Sequence, residues 1–287
     1  MNRIQRARPL LGTLVRITAE GAQPADELHA AVSAAFTEVA RVHALMSYHE
    51  PDSELTRVNR GALESRQALH PHTRTVLAAA LEMARLSAGA FDPSIAVQLT
   101  RWGLLPRPGP TAPLATTGAA SWRDVELDSE GVRFHRPLWL DLGGIAKGFA
   151  VDVALECLMK RGVRSIVVNA GGDLRVAGER RHTVAVRHPR HAHAPAHELS
   201  LCNEALATSS AFESRRESSA GTFSALVDPH SGHCYCGGDS ISVRAPTCMS
   251  ADALTKVALF AAPEVAESVF LTCQAHGIRL RTQPAVT

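Results

Sequence analysis

The chain reads LDLGGIAKGFAVD over residues 140–152, and this stretch decides the fold around which the rest is organised. The pattern predicts a buried strand over 138–142, a tight turn at Gly143 and Gly144, and then a helix. Glycines let the backbone approach a ligand closely, and a helix start offers free N–H groups and partial positive charge. Lys147 is expected in the first turn of that helix, where its positive charge is unfavourable with respect to the helix dipole. The segment therefore suits a phosphate or diphosphate, although a plain strand–helix turn with a surface lysine gives the same pattern.

Around this stretch, the periodicity of apolar residues predicts a mixture of helices and strands. Helices are expected over 26–46, 73–88, about 147–161, 250–261 and 263–275; strands are expected over 12–18, 165–172 and 241–245, with a hairpin over 125–136 and a strand then a loop over 181–198. Gly89 is a good left-handed end for the second helix, and Ser250 is the expected N-cap of the fourth. Strand–helix–strand order occurs only once, which favours an α+β fold over a doubly wound sheet.

Composition and charge exclude several classes of protein. The chain has 287 residues, 45% hydrophobic and 20% charged, which is ordinary for a soluble globular protein. Its 30 basic and 28 acidic side chains give a net charge of +2, too small a field to recruit nucleic acid or an acidic membrane. No apolar run is long enough to span a bilayer, and no signal segment or lipidation cysteine is evident at the start. The chain is therefore expected in the cytoplasm.

A second chemical signal lies in SADALTKVALF, residues 250–260. Asp252 is expected in the first turn of a helix, with Thr255 and Lys256 on the same face. A carboxylate and a hydroxyl on one face, joined by a backbone carbonyl from elsewhere, suit Mg²⁺, which prefers oxygen ligands. Simple capping by an acidic first-turn residue explains Asp252 equally well.

Two Asp-Pro turns add a weaker signal, in GAFDPS (89–94) and LVDPHSG (226–232). Such turns expose backbone N–H and C=O groups, which can bind the edge of a heteroaromatic ring. Ordinary turn formation accounts for either one alone.

Taken together and in order, these segments resemble the ApbE family of FAD:protein FMN transferases. The matching pieces, from about residue 8 to about residue 262, are LLGTLVRI, LMSYHEPDSELTRVN, GAFDPS, LDLGGIAKGFAVD, VVNAGGDLRVAG, ALATSS, LVDPHSG and ADAL. The succession of DLGGIAKG and NAGGD is the specific signature, whereas each other piece is weak alone. Their shared order makes the resemblance strong.

The resemblance implies an ApbE-like α+β fold, related to the T-fold, with layered sheets and helices and a flavin bound between the layers. Residues 1–287 would then form a single flavin transferase domain. The implied FAD contacts are Leu11, Tyr48, Ala90, Phe91, Asp92, Asp141, Lys147 and the backbone of Val227. The implied ligands of Mg²⁺ are the backbone oxygen of Gly144, the carboxylate of Asp252 and the hydroxyl of Thr255.

The sequence departs from the family's pattern in two places. The family's metal-binding Thr usually lies four residues after the Asp, where this chain has Lys256; the nearest hydroxyl is Thr255. Either Thr255 serves, or the Lys256 ammonium replaces part of the metal's charge. The family also commonly has a His, a candidate catalytic base, at the position of Ala225. Nearby substitutes are Ser224, His230 and His233, and the sequence assigns the base to none of them.

The activity implied is attack by a Thr or Ser hydroxyl of a target flavoprotein on the FMN-side phosphorus of FAD, with release of AMP. Two alternatives remain open at the same site: hydrolysis of FAD to FMN and AMP, or flavin binding without catalysis, which the replacement of the family's His by Ala225 makes credible. The acceptor would carry a stretch of the form Ser/Thr-Gly-Ala-Ser/Thr.

Overall fold

Seven antiparallel strands form the central sheet of the computed structural model, which describes residues 1–280 except 111, 114, 117, 119, 189, 190, 212–214, 219 and 220. In spatial order the strands are β1 (Asn2–Leu10), β2 (Thr13–Gly21), β5 (Ser165–Ala170), β6 (Asp173–Ala177), β9 (Ala205–Ser210), β12 (Ser240–Ala245) and β13 (His276–Leu280). Three further strand pairs are β3 (Val125–Leu127) with β4 (Val132–Phe134), β7 (His182–His188) with β8 (His191–Leu201), and β10 (Arg216–Ser218) with β11 (Gly221–Phe223).

The helices pack around this sheet. They are α1 (Ala25–Met46), α2 (Glu54–Gly61), α3 (Pro71–Leu86), α4 (Ala96–Arg101), α5 (Ala146–Met159), α6 (Cys248–Phe260) and α7 (Pro263–Thr272). Helix α1 buries one stripe of apolar side chains, as its periodicity predicts, and packs on α5. Helix α5 is buried around most of its circumference because it lies between α1, α6 and strands β5 and β6. The expected α+β fold is confirmed.

The expected strand over 138–142 is wrong. The segment is extended and buried, but it joins no sheet. The side-chain amide of Asn59 takes the place of a neighbouring strand: Leu140 N–H donates to Asn59 Oδ1 (2.7 Å), and Asn59 Nδ2 donates to the Leu140 carbonyl (2.9 Å). Asp141 N–H donates to the Pro93 carbonyl at 2.7 Å. These bonds satisfy a buried backbone without strand pairing, so the apolar run alone could not reveal the difference.

Two smaller expectations also need correction. The loop expected after the strand at 181–198 is strand β8, which pairs with β7 over the outer face of the sheet. In this pair Pro195 lies opposite Arg187, where the pairing register shifts, and a missing backbone N–H is tolerated at such an irregularity. The N-cap of α6 is Thr247 rather than Ser250, since the Thr247 hydroxyl accepts from Ser250 N–H at 3.2 Å. Gly89 does adopt the expected left-handed conformation.

No helix in the described part of the chain combines the length and the apolar character that a transmembrane span requires.

Candidate active site

Two hairpin turns lie side by side at one end of the sheet. In the β1–β2 turn both Leu11 and Gly12 are left-handed, with φ of 56° and 69°. In the β5–β6 turn Gly171 and Gly172 are also left-handed. A Cβ on Gly171 would lie 2.4 Å from the Thr13 hydroxyl, so the two turns are in contact. The left-handed φ of Gly171 and this close contact both favour glycine at that position.

The first turn of α5 approaches α6 closely enough for the two backbones to touch. A Cβ on Gly148 would lie 2.3 Å from the Cys248 carbonyl oxygen, so only glycine permits this crossing of α5 and α6. The approach brings Asp252 of α6 within reach of α5, where Gly148 N–H donates to Asp252 Oδ2 at 3.2 Å. Asp152 of α5 in turn accepts from Cys248 N–H (2.9 Å) and holds the first turn of α6. The glycine-rich stretch therefore places Asp252 against the start of α5. Asp252 lies in the second turn of α6 and not in the expected first turn, because the helix already begins at Cys248.

Two lysines form ion pairs at this crossing. Lys147 Nζ lies 2.7 Å from Oδ2 of the buried Asp173, the residue that follows the NAGG turn. Burial lowers the pKa of Lys147, but the carboxylates of Asp173 and Asp252 outweigh it and raise that pKa above its ordinary value. Lys256 forms an ion pair with Asp252 Oδ1 and donates to the Asp252 carbonyl oxygen at 3.0 Å. Lys147 is thus a fixed cation at neutral pH because of its raised pKa. Lys256 is held in place by its bonds to Asp252.

Lys256 crosses from α6 to the glycine turn. A Cβ built on Gly144 would lie 3.3 Å from Lys256 Cε and 3.8 Å from its Nζ. The Lys256 side chain is 18% exposed and Asp252 only 3%, so the ammonium stands between the buried carboxylate and solvent.

These elements surround a cavity of about 770 Å³. All of the flavin contacts implied by the resemblance line it, together with Gly144: Leu11, Tyr48, Ala90, Phe91, Asp92, Asp141, Lys147 and Val227. Lys256, Ser209 and Arg216 also line the wall, and the sequence did not single out the last two as contacts. A cavity of this size, lined by apolar side chains and a few charged groups, is typical of a site for a small molecule.

The other two predicted metal ligands do not line the cavity. Asp252 and Thr255 are both buried. The Thr255 hydroxyl donates to the Asp252 carbonyl oxygen (2.7 Å) and lies 2.7 Å from the Ser209 hydroxyl, so it is directed toward β9.

Two carboxyl groups of the wall have perturbed titration. Burial raises the pKa of Asp141, and the negative charge of Asp252 adds to the rise. Burial likewise raises the pKa of Asp92, although that carboxylate accepts hydrogen bonds from the Ser94 N–H (2.8 Å) and hydroxyl (2.6 Å). Perturbed groups that converge on one cavity are a common mark of a functional site.

None of the substitutes considered for the family's His lies in the wall. Ser224 is buried and donates to the Tyr235 carbonyl oxygen at 2.6 Å, while His230 and His233 are exposed outside the cavity. Ala225 itself lines the cavity. The imidazoles of the wall are His43 and His49, which sequence reasoning did not select.

Comparison with known proteins gives one consistent result. A sequence model described as "ApbE family" matches residues 11–277. A Treponema pallidum protein named FAD:protein FMN transferase is 29% identical over 276 residues, which cover 87% of this chain and 76% of the relative. A Vibrio cholerae protein of the same name is 28% identical over 222 residues, which cover 73% of this chain and 66% of the relative.

Solved structures resemble this fold over nearly its whole length. An ApbE protein from Thermotoga maritima superposes with a TM-score of 0.84 at 23% identity, covering 98% of this chain and 97% of the other. The apo form of a Pseudomonas stutzeri flavinyl transferase ApbE superposes with a TM-score of 0.81 at 21% identity, covering 99% and 92%. At these identities the likeness establishes the fold.

Proposed function

The chain belongs to the ApbE family, and we propose that it is a FAD:protein FMN transferase that moves the FMN part of FAD onto a hydroxyl of a second protein. The observation that carries the proposal is the convergence of the implied flavin contacts, from separate segments of the chain, on one cavity of about 770 Å³. That volume lies within the roughly 300–1,000 Å³ typical of small-molecule sites.

The residues of the cavity wall suit the two parts of the substrate. Tyr48, Phe91 and Val227 offer an apolar surface for the flavin ring, and Asp92 adds a hydrogen-bonding group for a ring edge. Lys147 and Lys256 provide cations in the same wall: Lys147 lies in the first turn of α5, and Lys256 lies beside Phe91 at Gly144. A diphosphate bound there would meet the positive charge of the two lysines and the partial positive charge of the helix start.

In the proposed reaction, the hydroxyl oxygen of an acceptor Thr or Ser attacks the FMN-side phosphorus of FAD. A new P–O bond forms, the bond from that phosphorus to the bridging oxygen breaks, and AMP leaves with that oxygen. The hydroxyl proton passes to a base that the wall residues do not identify. The protein's own contribution is to align attacking and leaving oxygens and to neutralise charge on the diphosphate.

The described residues do not fit the magnesium site that the resemblance implies. Asp252 has one carboxylate oxygen paired with Lys256 and the other bonded to Gly148 N–H, and the Thr255 hydroxyl donates to a carbonyl. Within the described ranges, no group of three or more His, Cys, Asp or Glu side chains could hold a metal ion. Magnesium dependence therefore stays a prediction, and no step above is assigned to a metal.

The test is incubation of the protein with FAD and a small acceptor carrying a Ser/Thr-Gly-Ala-Ser/Thr stretch, with and without Mg²⁺. A fluorescent acceptor band in a denaturing gel, with an equal amount of AMP, supports the transferase. AMP without the band indicates FAD hydrolysis, and FAD recovered intact indicates a binding protein; either result refutes the proposal. An acceptor whose Ser/Thr residues are replaced by alanine is the matched control.

A further inference from the structure

Lys256 stands at the position for which the resemblance implies a divalent cation. Its ammonium is held by the carboxylate and the carbonyl of Asp252, the implied acidic ligand, and its Cε and Nζ lie against Gly144, the implied backbone ligand. The group between these two residues is therefore a cation that the chain itself supplies.

One N–H donor of the Lys256 ammonium is not used within the described residues. An ammonium has three N–H donors, of which two are directed at Asp252. No third acceptor lies within hydrogen-bond distance of Lys256 in the part of the chain that the structure describes. Because Lys256 lines the cavity and Asp252 does not, that third donor is available to a ligand oxygen in the cavity.

Thr255, the alternative ligand, is committed elsewhere. Its hydroxyl is completely buried and lies between Asp252 and Ser209 of β9. Turning it toward the cavity would break the bond to the carbonyl, and a metal at Asp252 Oδ1 would have to displace the Lys256 ammonium. A bound metal beside an ammonium would also place like charges together, which is unfavourable.

We infer that the Lys256 ammonium, fixed by Asp252 beside Gly144, is the cation that this chain presents to the diphosphate of FAD, so that FAD binding and FMN transfer require no bound divalent ion. The inference rests on the proposed function for its substrate. It makes Lys256 a substrate-binding residue and Asp252 a positioning residue that acts through Lys256.

The first experiment uses the unaltered protein. FAD affinity, from flavin fluorescence or calorimetry, and the transfer rate are measured in EDTA and in millimolar Mg²⁺, and binding of Mn²⁺ alone is followed by electron paramagnetic resonance. We expect affinity and rate within about twofold in the two conditions and no bound Mn²⁺, because charge neutralisation by Lys256 is already in place. Loss of FAD affinity in EDTA, or stoichiometric Mn²⁺ binding, would overturn the inference.

The second experiment exchanges the cation. Lys256→Met removes the charge-assisted hydrogen bond and should weaken FAD binding roughly 10- to 100-fold. Lys256→Thr restores a hydroxyl four residues after Asp252 and should bind Mn²⁺ and regain FAD affinity only when Mg²⁺ is added. Lys160→Met, at the exposed end of α5, is the matched control and should behave as the parent protein. Unchanged FAD affinity in Lys256→Met would also overturn the inference.

Failure of the inference and failure of the proposed function are distinguishable. Transfer that EDTA abolishes would refute the role of Lys256 and leave the transferase intact. FAD binding that depends on Lys256 and ignores Mg²⁺, without any acceptor labelling, would refute the transferase and leave the role of Lys256 intact. The EDTA and Mn²⁺ measurements need no variant, so they decide the question even if Lys256→Met fails to fold.

Discussion

Replacing Gly148 by alanine should damage the site through the crossing of α5 and α6. The added Cβ would lie 2.3 Å from the Cys248 carbonyl oxygen, where ordinary contact begins near 3.4 Å, so one helix backbone must move by about an ångström. Overpacking of this kind costs about 1–3 kcal/mol, and a contact between two backbones belongs at the upper end. Alanine recovers roughly 1 kcal/mol through its higher helix propensity. The expected net loss is about 2 kcal/mol in the free energy of unfolding.

Urea unfolding followed by circular dichroism measures this change, and FAD titration measures its effect on the cavity. Gly61 in α2 is the matched control, because a Cβ there meets only the flexible Gln67 side chain; Gly61→Ala should be neutral or stabilise by up to roughly 1 kcal/mol. Separating the helices also draws Asp252 away from Gly148 N–H and shifts Lys256, so FAD affinity should fall as well. Equal stability and equal FAD affinity for the two variants would refute the view that this close crossing positions the site.

Three other changes test separate parts of the structure. Asp141 has a raised pKa, so the folded state binds more protons than the unfolded state; the free energy of unfolding should therefore fall as pH rises from the ordinary carboxyl range through the raised pKa. Asp141→Asn should remove this fall when melting temperature is measured against pH. A melting profile that the substitution leaves unchanged would contradict the assignment. Ala225→His should place an imidazole in the cavity wall and raise the kcat for transfer by about tenfold or more. The rate of this variant should increase as pH rises through the imidazole pKa. A change in KM for FAD without a change in kcat would argue against a base at this position. Asn59→Ala should leave the buried N–H and carbonyl of Leu140 without hydrogen-bond partners and lower the free energy of unfolding, measured in urea, by about 2–5 kcal/mol. A decrease below about 1 kcal/mol would mean that water replaces the side-chain amide.

The five longer helices were predictable because their apolar side chains recur at helical spacing along a continuous segment, whereas the short helices α2 and α4 were not predicted. Helix α1, for example, buries the stripe that its periodicity indicates. The segment over 138–142 was misjudged because its hydrogen-bond partner is the Asn59 side chain, about 80 residues earlier in the chain. An apolar run of five residues has the same appearance whether a strand or a side-chain amide satisfies it. Strand β9 was not predicted, since it pairs with β6 and β12, which are distant in sequence. Strands β1 and β6 were not predicted either, although each forms a hairpin with its neighbour in the chain.

In the candidate site, too, the sequence pattern could not decide between two arrangements, here within one turn of helix α6. Successive helical residues are rotated by about 100°, so Thr255 and Lys256 flank Asp252 on opposite sides of its face. Spacing alone therefore allows either residue to join the site, and the choice depends on which flank of α6 meets the cavity. The crossing at Gly148 sets that rotation: it directs Thr255 toward Ser209 of β9 and Lys256 toward Gly144. A metal-free diphosphate site in this chain would then follow from the orientation of one helix, which depends on Gly148 and on Asp152, each about 100 positions away.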